Sequence, residues 1–142
     1  GSIDRYLGKI SNPLLDRIDI HIEVLPVDYK ELRGEEKLEK SEDIRNRVNK
    51  ARKIQLERYK DDNIYNNSQL SSKNIKKYCK LNKDAESIMK QAFKKYRFSA
   101  RAYDKILKVS RTIADLDGEY NILEKHILEA IMYRSLDKKY RR

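Results

Sequence analysis

Ser99-Ala100-Arg101-Ala102-Tyr103-Asp104-Lys105-Ile106-Leu107-Lys108-Val109-Ser110-Arg111-Thr112-Ile113-Ala114-Asp115-Leu116 is the stretch whose reading decides the fold. Ala102, Tyr103, Ile106, Ser110, Ile113 and Ala114 recur at helical spacing and define one face. Arg101, Asp104, Lys105, Lys108, Arg111 and Asp115 take the other. Ser99 is placed to cap this helix and Gly118 to stop it. Working backwards, Asn82 caps a helix with an apolar stripe of Ala85, Ile88, Met89, Ala92, Phe93 and Tyr96, and a short helix from Ser72 to Cys79 carries Ile75 and Tyr78. A longer one runs from the Ser41 cap to about Asp61, with Glu42 and Asp43 in the first turn, where the helix dipole favours anions. Its helical positions are Ile44, Val48, Ala51, Gln55/Leu56 and Tyr59. Asp61-Asp62-Asn63 stops it, and Asn66-Asn67-Ser68 reads as loop. Working forwards, a last helix begins near Leu123, a poor cap, and carries Ile127, Leu128, Ala130, Ile131 and Tyr133. Amphipathic helices joined by short loops make a helical bundle.

The start of the chain follows a different rule. Ile18, Ile20, Ile22 and Val24 alternate with Asp19, His21 and Glu23, a period of two that signals a strand, and Pro26 ends it. A lone strand leaves a row of backbone groups unpaired. Its sheet is therefore expected upstream, and the segment is expected to be frayed or paired with a second copy. Gly1-Ser2 reads as a cloning remnant, and the abrupt start that follows suggests an excised piece. Residues 27–41 read as a connector around Gly34, with a short helix at Tyr29–Arg33, and residues 138–142 as a loose basic tail.

Composition agrees with a bundle. Of 142 residues, 39% are charged and 39% hydrophobic, which suits a folded helical domain with a solvated surface rather than a disordered tail. Four glycines and two prolines are too few for an all-β sandwich. The single cysteine, Cys79, has no disulfide partner and no neighbours at metal-ligand spacing; it reads as a small buried hydrophobe in a reducing, cytoplasmic compartment. No apolar run reaches the length of a membrane span. The net charge of +10 lies wholly in residues 71–142, since acids and bases cancel in residues 1–70. A one-sided basic excess is the footprint of a polyanion partner, although lysine-rich helix faces are also commonly just solvated.

Candidate chemistry narrows quickly. The glycines at 1, 8, 34 and 118 form no phosphate-binding loop, so these residues are expected neither to cradle ATP nor to hydrolyse it. His21, His126 and Cys79 share no metal motif. Two arginines remain. Arg17 stands just before the alternating segment, where an ion pair with Asp19 is the plain alternative. Arg101 falls in the first turn after the Ser99 cap, where a cation opposes the helix dipole and invites an anion; pairing with Asp104 is the plain alternative. Lys-Lys-Tyr occurs three times, at 76–78, 94–96 and 138–140. Lys76, Lys77, Lys94 and Lys95 could neutralise nucleic-acid phosphates while the tyrosines stack on bases, or Tyr78 and Tyr96 could belong to the core.

Both arginines sit in stretches that resemble a known family. Ile10-Ser11-Asn12-Pro13-Leu14-Leu15-Asp16-Arg17-Ile18-Asp19-Ile20-His21-Ile22-Glu23-Val24 resembles the end of the AAA+ core of magnesium-chelatase-like ATPases. The run 99–116 resembles their lid, and His126, Glu129-Ala130, Tyr133-Arg134 and Leu136-Asp137 match the closing helix. The resemblance covers nearly all of 3–137, weakly between 61 and 81, and is greatest for the competence (ComM) subgroup. It departs at Asn12, where a glycine is usual, and at Leu123, where a cap residue is usual. It implies a mainly α fold: a helical lid bundle at 42–137, a connector at 27–41, and at 3–26 one β-strand segment left over from the αβα core. It implies that Arg17 is an arginine finger reaching a neighbouring subunit's ATP, and that Arg101 is the sensor-2 residue on its own subunit's nucleotide. ATP and magnesium would be held by the parent protein. Partners would be its own core and the neighbouring subunits of a homo-oligomeric ring, usually a hexamer, with DNA a further candidate. The subgroup is associated with DNA branch migration in transformation; chelatase subunits instead drive metal insertion into a porphyrin. From the residues alone, a freestanding basic nucleic-acid-binding module and a helical partner-docking domain stay open.

Overall fold

A computed structural model describes residue 9, residues 11–26 and residues 39–134. The expected helix at Tyr29–Arg33, the cloning remnant, the basic tail and Tyr140 lie outside the described residues.

The chain is a helical bundle built around one central helix. After a four-residue turn, α1 (Asn12–Leu15), come α2 (Ser41–Tyr59), α3 (Ser72–Tyr78), α4 (Lys83–Tyr96), α5 (Ala100–Leu116) and α6 (Glu124–Met132), with a 3-10 turn at Asn67–Gln69. Helix α5 packs against α6, α2, α3 and the 3-10 turn, and α4 packs against α6. The caps follow from side-chain chemistry. Asn82 Oδ1 accepts from the Ala85 N–H at 2.8 Å, and Ser99 Oγ accepts from the Ala102 N–H at 3.1 Å. Gly118, at φ +72°, takes the left-handed position after α5. Tyr59, Ile75, Met89, Ile106, Ile122 and Ile127 are among the residues of a continuous apolar core, and Cys79 is buried with them as expected.

Some details differ from the sequence reading, and one expected weakness is made good. Ser41 lies inside α2, and the capping position falls to Lys40, whose side chain makes no cap hydrogen bond. Ile44 and Val48 are exposed, because the first half of α2 projects beyond the bundle and burial begins at Ala51. Arg111 and Asp115, assigned to the solvated face of α5, are buried at 2% and 1% exposure. The weak cap at Leu123 is repaired by His126, whose Nδ1 accepts from the Leu123 N–H at 3.0 Å while Nε2 lies 3.1 Å from Asp117 Oδ2.

The alternating segment forms no strand among the described residues. It bends at Asp19 and makes one isolated parallel bridge, His21 with Arg134. Its apolar members Ile18, Ile20, Ile22 and Val24 are exposed, and His21 is the residue that turns inward. Without a sheet to receive them, the branched side chains have no buried face to occupy.

Candidate functional site

Arg17 follows α1 in a tight turn, its N–H donating to the Leu14 carbonyl at 3.0 Å. Its side chain is exposed, and the pair with Asp19 does not form: Asp19 is bound by Lys105 of α5. Arg101 is exposed at the second position of α5, and Asp104 instead accepts from the Ser72 hydroxyl at 2.8 Å. Among the described residues neither guanidinium makes an ion pair. Asp19 is paired with Lys105, and Asp104 is hydrogen-bonded to Ser72 without losing its charge.

Arg101 stands on the wall of an open cleft of about 1140 Å³ between α3, α4 and α5. Ile75, Met89, Phe93 and Leu107 supply its apolar lining. Lys76, Lys80, Lys90 and Lys94 share the cleft with Arg101, against Glu86 and Asp104, so it is basic on balance. The fold thus brings together Lys76 and Lys94, one from each of two Lys-Lys-Tyr repeats. Lys80 and Lys90 were missed, though Lys90 stands one turn before Lys94 on α4 and Lys80 follows the end of α3 that carries Lys76.

Lys77 and Lys95 do not join them. Lys77 pairs with Asp62 at 2.8 Å and lies 4.7 Å from the centre of the Tyr78 ring; Lys95 lies 5.4 Å from that of Tyr96. Tyr78 packs edge-on against Tyr59, with ring centres 4.8 Å apart, and Tyr96 against Phe98 at 5.6 Å. Both tyrosines lie against the core.

The most connected polar cluster lies towards the C-terminal end of α5. Asp115 Oδ2 accepts from Arg58 Nη1 at 3.0 Å and Asn67 Nδ2 at 2.9 Å, and its Oδ1 from Arg111 Nε at 3.0 Å. Arg111 spends its remaining donors on the carbonyls of Glu119 and Tyr120, at 2.6 and 2.8 Å. Burial pushes the Arg111 guanidinium below its ordinary value, partly offset by Asp115. With Asp115 shared by three donors and each Arg111 nitrogen hydrogen-bonded, the cluster reads as a structural clamp. Among the described residues no group of His, Cys, Asp and Glu could hold a metal ion, and no helix is long and apolar enough to cross a membrane.

The mainly helical bundle agrees with the lid of a magnesium-chelatase-like protein, and the match of family models shows that class. The chain belongs to the family described as magnesium chelatase, subunit ChlI C-terminal, whose model matches residues 38–134, and residues 1–32 match the model for magnesium chelatase, subunit ChlI. Among individual proteins it is 45% identical over 136 residues to the competence protein ComM of Haemophilus influenzae, covering 94% of this chain and 26% of that protein. It is 34% identical over 135 residues to the uncharacterized protein YifB of Escherichia coli, with 94% and 26% covered. An uncharacterized protein of Mycobacterium tuberculosis is 26% identical over 130 residues, with 92% and 26% covered. The chain therefore spans about a quarter of the length of these relatives.

Proposed function

We propose that the chain is the lid end of a ring-forming AAA+ ATPase, to which it contributes two phosphate-sensing cations. Arg17 is the arginine finger for the nucleotide of a neighbouring subunit, and Arg101 is the sensor-2 residue for the nucleotide of its own. The single observation carrying this reading is that both guanidinia are exposed and, among the described residues, make no ion pair, while Asp19 and Asp104 are engaged by Lys105 and Ser72. A planar, permanently charged fork suits a terminal phosphate on which charge builds during transfer. Arg101 at the positive end of α5 gains most when an anion is supplied from outside. Nucleotide and magnesium would be held by the rest of the protein, leaving these residues inactive alone. The resemblance to the competence subgroup, which is associated with DNA branch migration, favours DNA as the substrate of the motor.

The test is turnover in the intact protein. Arg17→Ala is expected to reduce ATP hydrolysis by a factor of 10³ or more, as for other trans arginines, with nucleotide affinity within about twofold of wild type. Undiminished turnover would remove the finger role.

A second reading is favoured by the cleft itself. Lys76, Lys80, Lys90 and Lys94 around an apolar lining also suit a single-stranded nucleic acid, whose backbone they would neutralise.

A further inference from the structure

Arg17 belongs to a segment that lacks a sheet here, yet that segment is not loose. Asp16, Ile18, Asp19 and His21 are each tied to the bundle. The Arg134 side chain, 1% exposed, donates through Nη1 to the Ile18 carbonyl, and its Nη2 lies 3.8 Å from Asp16 Oδ1. The Tyr133 carbonyl accepts from the His21 N–H at 2.7 Å, and Lys105 pairs with Asp19. Arg17 lies between two of these anchors, Asp16 and Ile18, with its side chain exposed.

The two contributors are unequal. The Lys105–Asp19 pair is partly solvated, with Asp19 60% exposed, and such a pair holds weakly. Arg134 is fully enclosed, and a charge-assisted bond from a buried guanidinium to a backbone carbonyl is a strong, directional hold. Arg134 is also the last residue matched by the lid family model, whereas Ile18 lies within the match to the chelatase subunit itself. The bond therefore joins the end of one matched region to the other.

We infer that Arg134 is a positioning residue: its bond to the Ile18 carbonyl, with Asp16 within ion-pair range, fixes the direction of Arg17, while Lys105, one turn beyond Arg101 on α5, ties the same segment to the helix that bears the sensor. The inference rests on the finger role of Arg17 proposed above. A reacting cation displaced by about 1 Å can cost on the order of 10²-fold in rate, so a clasp that only orients can still govern turnover.

The experiment compares kcat, KM and nucleotide affinity for Arg134→Lys, Arg134→Met and Lys105→Asp in the intact protein, each also combined with Arg17→Ala. Arg134→Lys is expected to lower kcat tenfold or more with KM and nucleotide affinity within about twofold, and to add no further loss to Arg17→Ala. Folded Arg134 variants with wild-type kcat, or losses that multiply in full with Arg17→Ala, would overturn the inference while leaving the finger role standing. Wild-type turnover by Arg17→Ala itself would overturn both. Should the Arg134 variants fail to fold, the surface pair decides: Lys105→Asp lowers kcat severalfold and Asp19→Lys restores it, whereas an unchanged kcat in Lys105→Asp overturns the inference.

Discussion

Arg58 and Asp115, 57 positions apart, meet through the two terminal guanidinium nitrogens and both carboxylate oxygens, and so bind α2 to the central helix α5. Burial opposes the charge on Arg58, but the hydrogen bonds and attraction from Asp115 outweigh it and hold the guanidinium above its ordinary value. Because Arg111 shares the same carboxylate, removing Asp115 strands two cations at once. Asp115→Ala is expected to destabilise the fold by about 3–5 kcal/mol, the usual cost of breaking a buried pair from one side. Urea unfolding measures this; a loss under about 1 kcal/mol would show that the cluster is not the clamp described here.

Cys79 offers a pH-dependent reading of the same core. Burial pushes its thiol up to about 11, from an ordinary value of 9.0. The unfolded chain therefore releases this proton first as pH rises, so the unfolded state binds fewer protons between about 9 and 11 and stability falls across that window. The two-unit difference corresponds to roughly 2–3 kcal/mol by its upper end. Cys79→Ala should flatten that part of the pH–stability curve. The native thiol should also react with a maleimide or disulfide reagent far more slowly than the urea-unfolded one at pH 8. Equal rates would mean the site is open.

The cleft makes a prediction that separates neighbouring lysines. If it receives single-stranded nucleic acid, affinity measured by fluorescence anisotropy should fall steeply with salt. Lys76→Ala and Lys94→Ala should each reduce the slope of log K against log salt by about 0.7. Lys77→Ala should leave it unchanged, since that lysine is paired with Asp62 outside the cleft. A flat salt response would return these lysines to the solvated surface.

Much of this architecture was legible because it is written locally. Asn82 and Ser99 cap where their side chains predict, and Ala85, Met89, Ala102 and Ile106 face inward at the expected period. What misled was non-local. Arg111 and Asp115 lie on the charged side of α5 by spacing, and only Arg58 and Asn67, brought from elsewhere in the chain, turn that side into an interior. The alternation from Ile18 to Val24 describes a strand, but a strand needs neighbours, and the side that meets the bundle is the one carrying His21. Of the candidate site, Arg17 and Arg101 were legible as motif positions; that Asp19 and Asp104 would be drawn away to Lys105 and Ser72 was not, because both contacts span different elements of the fold.

The central claim, that Arg17 serves a neighbour's nucleotide and Arg101 its own, is tested most directly by mixing two inactive variants of the intact protein. In a ring with head-to-tail interfaces, an Arg17→Ala subunit keeps its own sensor and can borrow a finger from an adjacent Arg101→Ala subunit. An equal mixture is predicted to recover ATP hydrolysis to about a quarter of the wild-type rate, the share of interfaces that random mixing restores. Activity no greater than the average of the two variants measured separately would contradict the assignment.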